Sequence, residues 1–191
     1  MTPDPPGTNH QDLPGALRHH DENTYERQFH RVSLLQGDVG SGKTVVAALA
    51  ALAAVEAGQQ VAFMAPTELL AEQHFNKLRH WLVELPVTIT WLSGSLVASE
   101  LKAAQAACKR GGAHIAVGTH ALFQKKVSFA RLGLVVVDEQ HRFGVEQRLA
   151  LRGRGQADSD RILAPHQLMM SATPIPRSLA MSYYADLDVS V

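Results

Sequence analysis

Gly37-Asp38-Val39-Gly40-Ser41-Gly42-Lys43-Thr44 fits the pattern G-x-x-x-x-G-K-[ST] of a phosphate-binding loop. Its glycines let the backbone curl tightly, so that several amide N–H groups point inward at one anion. Lys43 adds a mobile positive charge for the outer phosphates, and the Thr44 hydroxyl is placed to bind a magnesium ion bridging them. The flanks agree. Val32 to Gln36 reads as a short buried strand, and Val45 to Ala57 as an Ala-rich helix whose N-terminus faces the phosphates.

Working outward, the segments alternate in type. Strands are predicted at Val61–Met64, Val87–Leu92, Ile115–Val117, Leu134–Val137 and Gln167–Met170, and helices at Glu68–Leu82, Ser99–Lys109 and Arg177–Tyr184. Continuous apolar strands alternating with helices define an α/β fold, a parallel sheet covered by helices on both faces. Ligands of such sheets gather at the carboxyl ends of the strands. Residues 1–30 differ from the rest: prolines and glycines break regular structure, and scattered histidines show no repeated ligand spacing. They read as an irregular lead-in to one domain spanning 31–191.

Composition sets further bounds. At 46% hydrophobic residues the chain can build a sizeable core, and it has no apolar run of about 18 residues that would span a membrane. The N-terminus lacks the apolar core of a secretion signal, and the single cysteine, Cys108, reads as a packed small residue of a reducing cytoplasm. The formal net charge is zero, so any nucleic-acid surface must be local or shared with another part.

The second chemical centre is Asp138-Glu139, at the tip of the all-apolar strand ending at Val137. Two acids there are costly unless a positive partner meets them. A magnesium ion held by Thr44 and the phosphates of a nucleotide is the natural one. Asp138 would reach that metal, and Glu139 would orient and deprotonate the water attacking the γ-phosphate.

Asp138-Glu139-Gln140-His141 resembles the DExH box of superfamily 2 helicases and translocases. Together with Leu35 to Thr44, the segment Arg142-Phe143-Gly144-Val145-Glu146-Gln147-Arg148 is similar to the RecG family of bacterial branched-DNA helicases. Ala65 to His74 resembles that family's motif Ia, Ser171 to Arg177 its motif III, and Tyr184 to Asp188 the sequence that follows. The transcription-repair coupling translocase shares Arg-Phe-Gly-Val but typically carries Glu where this chain has Gln140.

The resemblance implies a first RecA-like P-loop lobe that uses ATP and Mg2+ and acts on branched DNA, forks and Holliday junctions, in recombination and fork repair. It implies that Gln140 and His141 link the γ-phosphate to Ser171, Ala172 and Thr173. By residue type alone, Ser171-Ala172-Thr173-Pro174 is a turn with two hydroxyls that could cap the next helix. The resemblance places DNA contacts on the sheet's other rim, at Pro66 and Thr67, Gly94 and Ser95, and Thr119 and His120. Each alone reads as an ordinary N-cap or turn. Backbone contacts of this kind need little net charge and read no sequence. For the adenine-reading glutamine that precedes the loop in this family, Asn23 to Arg31 offers only Gln28. A wedge domain and a second RecA-like lobe complete such a motor, so these 191 residues are expected to bind nucleotide, hydrolyse it slowly if at all, and not unwind DNA alone.

Two other classes compete. One is a different P-loop enzyme, such as a GTPase or a small-molecule kinase; a GTPase would want Asn-Lys-x-Asp for guanine, and Asn76-Lys77-Leu78-Arg79 starts so but ends in Arg, inside a predicted helix. A non-hydrolysing nucleotide- or DNA-binding module would keep the loop and show no turnover.

Overall fold

The computed structural model describes residues 32–124, 126–139, 156–158, 161–172 and 187–190. Residues 1–31, Gln140 to Arg148, Thr173 and the helix expected at 177–184 lie outside them.

Seven strands form one sheet: β1 (Val32–Gln36), β2 (Gln60–Met64), β3 (Ile89–Leu92), β4 (Ile115–Gly118), β5 (Leu132–Val137), β8 (His166–Ser171) and β9 (Leu187–Ser190), in the order β3-β4-β2-β5-β8-β1-β9. Every ladder in it is parallel. Two short strands, β6 (Gln156–Asp158) and β7 (Arg161–Leu163), pair antiparallel outside the sheet. The helices among the described residues are α1 (Lys43–Glu56), α2 (Glu68–Trp81) and α3 (Ala98–Arg110), with a 3-10 turn at His120–Phe123. The sequence missed β9 and the β6–β7 pair: β6 and β7 have only three residues each, and β9, Leu-Asp-Val-Ser, lacks the continuous apolar run that marked the other strands.

Successive strand residues face opposite sides of a sheet, and here both sides are dry. Val61, Phe63, Ile115, Val117, Leu134 and Val136 pack with Ala47, Ala48 and Ala51 of α1 and Leu78 of α2. Their neighbours Ala62, Met64, Ala116, Val135 and Val137 pack with Ala104 and Cys108 of α3 and Leu122 of the 3-10 turn. That is why the strands are apolar throughout, and it bears out the covered parallel sheet. Alanines on the buried face of α1 bring its axis close to the sheet directly behind the phosphate loop. Asn76 to Arg79 lie within α2, with Leu78 fully buried, so they form no base-reading loop.

One buried polar residue ties the layers. The Gln60 amide donates to the carbonyls of Cys108 at 2.9 Å and Ala113 at 2.7 Å, and its oxygen accepts from Arg131 N–H at 2.9 Å. Among the described residues, no helix is long and apolar enough to cross a membrane.

Candidate nucleotide site at the sheet edge

Because all seven strands run the same way, their carboxyl ends share one edge. Three adjacent strands bring the chemistry together there: β1 leads into the phosphate loop, β5 into the acids, and β8 lies between them with Ser171 at its end.

The loop is shaped by its glycines. Gly40 and Gly42 have φ of 86° and 88°, in the left-handed region that side chains resist. A Cβ on Gly37 would meet Ser41 Oγ at 2.6 Å. Gly42 caps α1 without a side-chain hydrogen bond, and no acid lies in the first turn. The helix therefore begins with free N–H groups and no competing anion, which suits a phosphate. Lys43 Nζ donates to the carbonyls of Gly37 at 2.6 Å and Asp38 at 2.7 Å, and approaches Ser41 Oγ at 3.5 Å. Gly37 N–H donates to the Ser171 carbonyl at 3.3 Å, which joins the loop to the end of β8. Ser171 is buried and Ala172 half-buried.

Asp138 is only 9% exposed. Its N–H donates to the Met64 carbonyl of β2 at 2.8 Å. Its Oδ1 accepts from Glu139 N–H at 2.9 Å, and its Oδ2 lies 2.6 Å from His74 Nε2 of α2. Glu139 has φ of 50°, the one described non-glycine residue in the left-handed region. Strained backbone of this kind costs about 1–3 kcal/mol and clusters at functional sites. Thr44 and Asp138 offer a hydroxyl and a carboxylate, both hard oxygen donors. Among the described residues, no group of three or more His, Cys, Asp or Glu could cage a metal by itself. So sparse a set fits magnesium, which keeps several waters and takes the rest of its shell from phosphates.

The expected DNA contacts need one correction. The parallel register puts them on the same carboxyl edge as the nucleotide site, on its other half, beyond β2, β4 and β3, and not on an opposite rim. Thr67 is exposed and N-caps α2, accepting from Leu70 N–H at 3.3 Å. Pro66 is half-buried beside it. Gly94 and Ser95 are exposed, while Ser93 is buried and hydrogen-bonded to the Glu68 carboxylate and, at 2.8 Å, to Ser95 Oγ. Glu68 thus pins that corner to the first turn of α2. Thr119 is buried, so of that pair His120 presents the surface. Sequence reasoning missed His74. The signal was there: it falls with Ala71 and Leu78 on the buried stripe of α2, where an ionisable ring needs a partner.

This strand-end arrangement defines a helicase-type nucleotide-binding lobe. Residues 22–182 match the DEAD/DEAH box helicase family, and the chain belongs to that family. Within it the similarity is to one kind of enzyme. The chain is 53% identical over 165 residues to the ATP-dependent DNA helicase RecG of Haemophilus influenzae, covering 86% of this chain and 23% of that protein. With RecG of Aquifex aeolicus it shares 54% over 158 residues, 83% of this chain and 19% of that one. A structure of RecG bound to a three-way DNA junction superimposes with a TM-score of 0.69 at 42% identity, over 87% of this chain and 22% of that chain. A yeast Dbp5 complex, 19% identical with a TM-score of 0.61 over 84% of this chain and 44% of that one, shares the fold. The chain therefore spans about a quarter or less of the RecG proteins it matches, and what it shows is their first helicase lobe. A helicase domain of this family implies the use of ATP.

Proposed function

We propose that residues 31–191 are the first RecA-like lobe of a RecG-type motor, which spends ATP to move on branched DNA such as forks and Holliday junctions in the bacterial cytoplasm. The observation that carries this reading is the triplet β1-β8-β5, which sets the phosphate loop, Ser171 and Asp138-Glu139 side by side at one sheet edge.

The residues divide the work. Gly37 to Gly42 and the first turn of α1 bind the outer phosphates through backbone N–H groups, and Lys43 adds charge. Thr44 and Asp138 would supply the oxygens that hold magnesium, which would neutralise charge on the phosphates. Glu139 orients the attacking water and takes its proton. Gln140 and His141 connect the γ-phosphate to Ser171, Ala172 and Thr173. Pro66, Thr67, Gly94, Ser95, Thr119 and His120 face the DNA backbone. A second RecA-like lobe and a wedge domain complete the motor. The second lobe supplies the arginine finger, a group worth about 10³–10⁵ in turnover.

ATP turnover by the purified chain, with and without forked DNA and beside Glu139→Gln, tests the assignment. Nucleotide binding with little turnover and no unwinding is expected. Absence of ATP binding would sink the nucleotide site, and unwinding of a forked duplex by this chain alone would sink its assignment as half a motor.

A further inference from the structure

Asp138 belongs to the nucleotide half of the edge, yet two of the groups that hold it belong to the other half. Its N–H bonds to Met64 of β2, and its Oδ2 to His74 of α2, the helix that follows β2 and opens at Thr67. The His74 ring is itself fixed, 6% exposed and tilted against Phe63 of β2 at 4.9 Å between centroids. An ionised carboxylate only accepts, so His74 Nε2 carries the hydrogen of the 2.6 Å contact. Among the described residues, the buried His74 Nδ1 has no hydrogen-bond partner. Among the described residues the polar engagement of the imidazole is with Asp138. With Oδ2 taken by α2 and Oδ1 receiving Glu139 N–H, the plane of the carboxylate is set from both sides, and turning it would break both bonds.

We infer that His74 is a positioning residue: it fixes the Asp138 carboxylate in the orientation that receives the magnesium of the nucleotide, and it ties that orientation to helix α2. The inference rests on the nucleotide-site reading above. Partners that orient a metal-binding group typically contribute about 10–100-fold to metal affinity.

The test is magnesium titration into the 191-residue chain with ATP present, followed by calorimetry, and the same ATP titration in EDTA. His74→Phe keeps the ring against Phe63 and removes the donor. It is expected to raise the magnesium needed for half-saturation about 10–100-fold while leaving metal-free ATP binding unchanged. His74→Gln, which restores an N–H donor, is expected to recover most of the loss. Unchanged magnesium dependence in His74→Phe overturns the inference. So does an equal loss with and without magnesium, which is the mark of a merely structural residue. If wild type binds no ATP at all, the nucleotide-site reading fails and the inference with it; the wild-type titration separates that failure from the others. Should His74→Phe not fold, the wild-type protein decides. The His74 Nε2–H proton resonance, assigned by its loss in His74→Gln, should shift when magnesium and ATP are added and not with ATP in EDTA. A resonance indifferent to magnesium overturns the inference.

Discussion

Lys43 Nζ lies 2.6 Å from the carbonyl oxygen of Gly37, so the cation of the phosphate loop is turned back on the loop's own backbone. A phosphate must outcompete these carbonyls for the ammonium. Lys43→Ala should weaken ATP binding about tenfold or more, with the nucleotide-free fold little changed because the lost contacts are exposed or only partly buried. Wild type at a hundred times its Kd gains about 2.7 kcal/mol from the ligand, and a variant ten times weaker gains about 1.4 kcal/mol at the same concentration. Thermal melts with and without ATP read the difference. An equal ligand-induced shift in both proteins would remove Lys43 from the site.

Glu139 joins chemistry to strain. Its φ of 50° is costly for Glu and less so for Asn, whose short side chain tolerates the left-handed region. Glu139→Asn should be more stable than Glu139→Gln by roughly 0.5–1 kcal/mol in denaturant unfolding. Both should bind magnesium and ATP as wild type does. Where turnover is measurable, both should lose about 10²–10⁴ of it. A Glu139→Asn variant less stable than Glu139→Gln would mean that the backbone there is not strained.

Gly118, at the end of β4, has no room for a side chain: a Cβ would sit 1.9 Å from the Leu92 carbonyl oxygen of β3. Neither strand can give way without breaking its ladder. Gly118→Ala should cost about 3 kcal/mol, the upper part of the range for overpacking. Gly94→Ala, with nothing within 4 Å of its Cβ, should stay within about 0.5 kcal/mol. Similar unfolding midpoints for the two variants would contradict this geometry.

Burial pushes the Cys108 thiol from 9.0 up to about 11. At pH 8 the native thiol should therefore resist alkylation and react only as the chain unfolds. The linkage has a definite sign. The folded pKa lies above the unfolded one, so the associated stability is fully present below pH 9 and is lost as pH rises toward about 11. Cys108→Ala should flatten that alkaline decline. Rapid labelling of the folded protein at pH 8 would refute the buried, protonated thiol.

The fold was legible because its strongest signals are local. The loop's spacing needs eight residues, and Leu134 to Val137 can only be a strand buried on both faces. Asp138-Glu139 could be assigned chemistry because acids at such a strand end require a cation. What escaped depends on strand order, which no local pattern carries. Thr119 reads as an ordinary cap or turn, and that it is buried depends on β4 lying inside the sheet with neighbours on both sides. The two rows of motifs share an edge because every ladder is parallel. His74 meets Asp138 because β2 and β5 are neighbours, a pairing set by chain segments far apart in sequence.

The strand order also fixes when each part of the edge can exist during synthesis. Residues 60–118 supply β2, β3 and β4, which are contiguous in the sheet, so this part can pair as soon as it leaves the ribosome. The first strand has no such neighbour. Val32 waits for Gln167 and Leu187, and until they emerge the phosphate loop has no sheet to stand on. Of these strands the earliest in the sequence is thus among the last to be paired, and synthesis that stalls before β8 leaves β2, β3 and β4 able to pair while the phosphate loop has no sheet behind it.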